Sequence, residues 1–306
     1  MNVVIVVLNY NDCETTKTFL RAVGAYKSVS DIIVVDNCST DDSVLRLKPY
    51  CADNIKLVIS DKNNGYAAGN NLGAKYAVTQ CDADIVIISN PDIFIKEEDV
   101  EKIIEPLNHG FGISTGLIYN YNRNSNQRAL ASNFAWKVPT YWQMLINCFL
   151  VSYKITRLAN RGIYLNYEQC KNEKWIHAEA VPGCFFAITA AALKIVGYFD
   201  EETFLFGEET ILGWQLREQN IKVCVVNNTE ILHENSVSIN KNIKQSNKKI
   251  QYLWESELLY LEKYLKCGIV KCAFFKIAFY IGIVEKQVVR YLSCKNRQVR
   301  NSVNET

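Results

Sequence analysis

The chain has 306 residues, 49% hydrophobic and 22% charged, which is long enough to bury a sizeable core and too apolar for a disordered chain. A formal net charge of +2 gives no general ground for nucleic-acid binding, and no nucleic-acid partner is expected. Eleven cysteines without a C-x-x-C pair argue against a disulfide framework and against a thiolate zinc site.

The first 118 residues repeat a strand-helix pattern. MNVVIVVLNYND opens with a strand and carries neither a basic n-region nor a small-residue cleavage site, which predicts a cytoplasmic protein. A helix follows from about Glu14. Next come the strand DIIVVD, a helix from Ser39 to Leu47, the strand IKLVIS, a helix from Gly69 to Val78, the strand DIVIIS and a helix from Glu97 to Leu107. Continuous apolar strands belong in a sheet covered on both faces, so the expected class is α/β with a doubly wound, mostly parallel sheet. Ligands are then expected beyond the strand carboxyl ends, where NYND, DNCSTDD, SDKNNGYAAGN and SNPD stand.

Beyond Tyr119 an Asn-rich loop leads to a strand within RALASNFAW and an aromatic helix from about Tyr141 to Leu158. The strand PGCFFAIT, the helices AAALKIVG and EETILGWQLREQN, and the strand KVCVV follow. Aromatic residues between 119 and 176 are ascribed to packing, and none is taken as a site residue. Residues 243 to 292 predict two helices. From Lys263 to Arg300, nine Lys or Arg face the single Glu285. The apolar stretch Cys272 to Val284 is short of the roughly 20 residues that span a bilayer. It fits either a basic, apolar helix resting on an anionic membrane surface or a helix packed on the domain with its lysines in solvent.

In SNPDIF, Pro91 cannot donate to a sheet ladder, so the strand ends at Ser89 or Asn90 and leaves Asp92 at its tip. Asp36 ends DIIVVD and could accept from a nucleobase N–H or a ribose hydroxyl, or serve a turn. Ser39 with Asp42 has the spacing of a capping box. Glycines 65, 69 and 73 could cradle a phosphate or let a helix pack closely on the sheet. Glu208 and Glu209 stand at a loop-to-helix junction, where neighbouring side chains diverge by about 100 degrees. His233 with Asp92 could complete a divalent-metal site, the imidazole favouring Mn over Mg.

Taken in order, VVLNYND, VVDNCSTDDS, NNGYAAGNN, SNPDIF, PGCFFAIT followed by GYFDEETFLFGEE, and the downstream His233 resemble glycosyltransferase family 2 in its rhamnosyltransferase-like branch, over residues 1 to 238. The resemblance implies a GT-A fold: residues 1–238 as catalytic domain, with 1–118 binding the nucleotide sugar and 119–238 the acceptor, and 239–306 as a basic helical extension. It implies that Asp92, in Asn90-Pro91-Asp92, and His233 hold a divalent cation on the donor diphosphate. Asn9, Asp36 and Asn37 would hold the nucleoside, Asn64 and Gly65 would border the donor, and Glu209, beside Glu208, would be the catalytic base. The implied activity is inverting transfer of a hexose or deoxyhexose from a nucleotide sugar to a saccharide or lipid-linked saccharide, in bacterial surface polysaccharide biosynthesis at the inner face of the cell membrane. Glu209 and Ile211 depart from the family's usual acidic residues, Asp at the first position and an acidic residue at the second. A silent nucleotide-sugar-binding protein and a donor-making nucleotidyltransferase are the rival readings.

Overall fold

The computed structural model describes residues 1–52, 54–123, 125–149, 163–234 and 246–303, with backbone alone for 246 and 290–303. In chain order the elements are β1 (Val3–Asn9), α1 (Cys13–Val23), β2 (Asp31–Asp36), α2 (Ser43–Leu47), β3 (Ile55–Ile59), α3 (Gly65–Gln80), β4 (Ile85–Ser89), β5 (Ile93–Phe94), α4 (Glu97–Ile104), β6 (Phe111–Asn122) and β7 (Gln127–Leu130). They continue with α5 (Tyr141–Asn147), α6 (Tyr167–Cys170), β8 (Trp175–Ala178), β9 (Phe185–Thr189), α7 (Ala190–Val196), α8 (Glu208–Glu218), β10 (Lys222–His233), α9 (Ser246–Leu259) and α10 (Ile269–Val303). The chain divides into two compact units, Met1–Val138 with Tyr164–Leu259, and Pro139–Ile163 with Tyr260–Thr306.

The first unit is built on one mixed sheet in the order β3-β2-β1-β4-β9-β6-β10-β5, with β7 on β6 and β8 on β10. Its β3-β2-β1-β4 half is parallel, and β9 enters antiparallel between β4 and β6. The apolar strand runs explain the layering. Val3, Ile5 and Val7 point into one core with Phe19 and Leu20 of α1, while Val4 and Val6 point into the other with Ala67, Ala74 and Ala77 of α3. Alternate side chains of one strand thus feed two cores, which is why the strands read as continuous apolar runs. At the edge, β3 is only half-buried and Lys56 pairs with Asp31 at 2.7 Å, a charge that blunts the open ladder.

Helix α3 begins at Gly65, earlier than the expected Gly69, and settles the choice left open for its glycines. A Cβ on Gly69 would lie 2.5 Å from Leu8 Cδ1, and one on Gly73 2.4 Å from Val6 Cγ1 and 2.7 Å from Val35 Cγ2. Both glycines let the helix press onto β1 and β2. A second expectation fails: α2 starts at Ser43 and not at Ser39, with no side-chain cap from Asp42. Ser39 bonds Asp36 instead, because a short hydroxyl competes readily for a nearby carboxylate outside a helix.

The last long strand, β10, extends the expected KVCVV through NNTE to His233. It runs parallel to β6 with a break in register between Val226 and Ile231. Thr229 absorbs the irregularity, donating to Val226 O at 2.8 Å and accepting from Leu117 N at 3.2 Å. Beyond the break, Leu232 and His233 pair antiparallel with Phe94 and Ile93 of β5. Helix α9 joins the same unit, Tyr252 stacking on Phe204 with ring centroids 4.4 Å apart.

In the second unit, α5 has the capping box of Thr140 and Gln143. It starts where expected but ends at Asn147, and residues 150–158 of the expected helix lie outside the described residues. Against it lies α10, with Cys272, Phe275 and Ala278 buried and the Tyr141 hydroxyl donating to Lys271 O at 3.0 Å. Among the described residues, ten cysteines are free and seven of them are buried, and no helix is long and apolar enough to cross a membrane.

Gly73→Ala tests the packing of α3. Alanine would gain up to about 1 kcal/mol in helix propensity, so a net loss of about 1–3 kcal/mol in urea unfolding would report the clash with Val6 and Val35 alone. Gly268→Ala, where an added Cβ meets nothing within 4 Å, should stay near wild type.

Candidate active site

The tips of β1 and β2 face each other, Asn9 opposite Asp36, and both are fully buried. Asn9 Nδ2 donates to Asp36 Oδ2 at 2.8 Å, the Ser39 N–H to Oδ1 at 2.8 Å and the Ser39 hydroxyl to Oδ2 at 2.7 Å. Thr16 donates to Asn9 Oδ1 at 2.9 Å. Here Asp36 and Asn9 fasten the two loops together, and Oδ1 of Asp36, with a single donor, keeps a second lone pair. Beside them Asn37 Nδ2 lies 3.1 Å from both Asn63 Oδ1 and Gly65 O, while its own Oδ1 is buried without a hydrogen-bond partner.

Asn64 occupies the N-cap of α3 without a side-chain cap bond. Gly65 follows at φ +94, where a Cβ would lie 2.2 Å from Phe204 O, so only glycine fits. Tyr66 N donates to that same carbonyl at 2.8 Å. The chain before α3 is thereby held against the loop before α8.

Pro91 ends β4 at Ser89, and Asn90 N donates to Cys184 O at 2.8 Å. Asp92, 3% exposed, then turns into β5, whose pairing with β10 brings His233 alongside. His233 Nε2 lies 3.3 Å from Asp92 Oδ1, an ion-pair distance, yet neither buried atom has an aligned hydrogen-bond partner. Burial disfavours charge on the imidazole, but Cys184 and the Asp92 carboxylate outweigh it and push His233 up to about 10. A divalent cation that displaces the imidazole proton would fit between the nitrogen and the carboxylate oxygen, neither of which has an aligned hydrogen-bond partner. Among the described residues no group of three acidic, His or Cys side chains could hold a metal alone.

Phe206 and Gly207 stand at φ 72 and φ 82 just before α8. A left-handed phenylalanine costs roughly 1–2 kcal/mol, strain that packing must offset. The turn sets both glutamates at the helix start. Glu208 is 4% exposed and its Oε2 has no hydrogen-bond partner. Burial, then the neighbouring Glu209 charge, raises its carboxyl well above the usual range. Glu209 keeps partial exposure, and its Oε1 accepts from Gly183 N at 3.1 Å. Burial raises Glu209 as well. Burial bears most heavily on Glu208, whose Oε2 lacks a partner, while the Gly183 N–H orients Glu209.

Tyr66 was not singled out by sequence, though it sits in NNGYAAGN. Its hydroxyl donates to Gly183 O at 2.7 Å, with Asn90 Oδ1 at 3.2 Å. Burial, then Glu209 and Glu208, holds the phenol well above its ordinary range, so it stays a donor. The β4 tip and the glutamate pair are thus joined through Asn90, Tyr66, Gly183 and Glu209.

A carboxyl raised in the folded state stabilises the fold below its unfolded value and loses that contribution as pH climbs through the folded value. Glu208→Gln should therefore melt higher than wild type, with the gap widening from about pH 5 to about pH 8. A constant gap across that range would show that Glu208 carries no raised pKa.

The family model for "Glycosyl transferase family 2" matches residues 3–193. The low-salt glycan biosynthesis hexosyltransferase Agl10 of Haloferax volcanii is 24% identical over 234 residues, covering 76% of this chain and 67% of that protein. The crystal structure of GalNAc-T7 with UDP, GalNAc and Mn2+ is similar at TM-score 0.59 and 13% identity, covering 93% of this chain but only 56% of the other. The mannosyltransferase PcManGT from Pyrobaculum calidifontis, in complex with GDP-Man and Mn2+, is similar at TM-score 0.57 and 12% identity over 95% of this chain and 75% of the other. The sheet described above is the GT-A fold, and the chain belongs to glycosyl transferase family 2.

Proposed function

We propose that the chain is an inverting glycosyltransferase that moves a hexosyl or deoxyhexosyl group from a nucleotide sugar to a saccharide or lipid-linked saccharide of a surface polysaccharide. The observation that carries this reading is the run of contacts from Asn90 through Tyr66 and Gly183 to Glu209, which ties the β4 tip bearing Asp92 to an oriented carboxylate. In this reading residues 1–118 bind the donor, 119–238 the acceptor, and 239–306 form a basic extension. Asn9, Asp36 and Asn37 hold the nucleoside, and Asn64 and Gly65 border the donor. Solved relatives named with UDP or GDP-Man together with Mn2+ lend support to a nucleotide-sugar donor and a divalent cation.

Asp92 and His233 would hold the cation, which supplies Lewis-acid neutralisation of the departing diphosphate. Glu209 takes the proton of the acceptor hydroxyl as the new oxygen–carbon bond forms, and the bond to the diphosphate breaks with its electron pair leaving on the phosphate. Glu208, holding its proton, keeps Glu209 the ionised member of the pair. One displacement from the face opposite the leaving group inverts the anomeric centre.

In the second unit α10 leaves Val270, Phe274, Ile277, Ile281, Val284 and Val288 exposed, a stripe on one helix face recurring every three or four residues. With Lys271 and Lys276 to either side, that stripe supports seating on an anionic membrane surface, with apolar residues in the interface and lysines at the headgroups.

A panel of nucleotide sugars with Mn2+, with Mg2+ and with chelator should reveal one donor hydrolysed only with metal. Glu209→Gln should then lower transfer by about 10² to 10⁴ while donor affinity persists. Unchanged turnover in both Glu208→Gln and Glu209→Gln would remove the base assignment, and nucleotide-sugar binding without any turnover would favour the silent binding protein. Deleting residues 267–306 should abolish sedimentation with anionic vesicles and spare donor hydrolysis. Vesicle binding that survives the deletion, or a full-length chain that ignores the vesicles and dimerises, would defeat the membrane reading.

A further inference from the structure

The hairpin of β6 and β7 borders an open groove of about 890 Å³. It is lined by Asn120, Asn122 and Gln127, by Arg123 and Arg128, and by Glu234. Asn122 stands opposite Gln127 across the ladder, and the Tyr121 ring meets Phe94 of β5 edge-on at 6.0 Å. The groove adjoins the Asp92 corner. Asn120 pairs in register with His233, and Glu234 N donates to Asp92 O at 3.1 Å.

Its chemistry is selective. Among the described residues, the guanidinium groups of Arg123 and Arg128 are matched in number by the carboxylates of Glu234 and of Glu230, which pairs with Arg128. A phosphate subsite needs unbalanced cations or converging N–H groups. Amides that donate and accept, a guanidinium that only donates and a carboxylate that only accepts are instead matched to hydroxyls, which do both. We infer that this groove binds a neutral sugar ring of the acceptor glycan, distal to the hydroxyl that reacts. The inference rests on the glycosyltransferase reading and gives its acceptor a class: a glycan of more than one residue, recognised by uncharged rings. The reacting hydroxyl stays at Glu209, so the groove governs acceptor affinity and preference for longer glycans.

The test uses the full chain and saturation-transfer difference NMR with methyl glycosides of glucose, galactose, mannose, rhamnose and N-acetylglucosamine and their common disaccharides. At least one should bind. Its apparent Kd should rise by about fivefold or more in Arg123→Ala/Gln127→Ala, whose side chains are exposed and whose melting should match wild type. Excess inorganic phosphate should not compete. Nucleotide-sugar affinity should be unmoved by the double variant. Absence of any glycoside signal, a signal indifferent to the double variant, or displacement by phosphate overturns the inference. Donor turnover with glycoside binding indifferent to the variant sinks the groove alone. Glycoside binding in a chain that turns over no nucleotide sugar sinks the glycosyltransferase reading, and the acceptor role with it.

Discussion

Two residue pairs, Ile93 with His233 and Phe94 with Leu232, hold the candidate site together. Without that antiparallel clasp Asp92 would be a turn residue after a proline and His233 the frayed end of a strand. The clasp is short, so it depends on what lies behind it. The twelve residues of β10 anchor on β6, and the break at Thr229 re-aims the strand toward β5. A bulge that looks like a defect in the ladder is what brings a histidine to a carboxylate far away in sequence.

The second half of the site depends on strain. Phe206 in a left-handed conformation lets the chain enter α8 with both glutamates in its first turn. Their environments differ although they are adjacent. One is sealed in with an oxygen that has no partner; the other is steered by a backbone N–H and stays within reach of solvent. Two like groups side by side meet different surroundings because a helix turns them apart and only one keeps access to solvent.

Much of this is legible in the chain itself. Strands β1, β2 and β4 announce themselves as apolar runs because both faces are covered, and Pro91 marks the end of β4. Glu208 and Glu209 stand out at a helix start, and Asp92 with His233 can be suspected from their chemistry. What stays hidden is non-local. Strand β5 has only two residues and exists through its partner, and NNTE reads as a loop although β10 runs through it. Ser39 looks like a helix cap until Asp36 is seen to claim it. Tyr66 is inconspicuous because a buried hydroxyl has meaning only once Gly183 and Asn90, from other parts of the chain, are beside it.

The left-handed Gly65 is pressed against Phe204 O, and the next residue bonds that same carbonyl. The segment opening α3 and the segment opening α8 are therefore cut to a common length. A residue inserted between Asp200 and Gly207 would have to bulge outward or drag the α3 entrance with it. These two loops must change in concert, so their lengths should drift together among descendants of this chain.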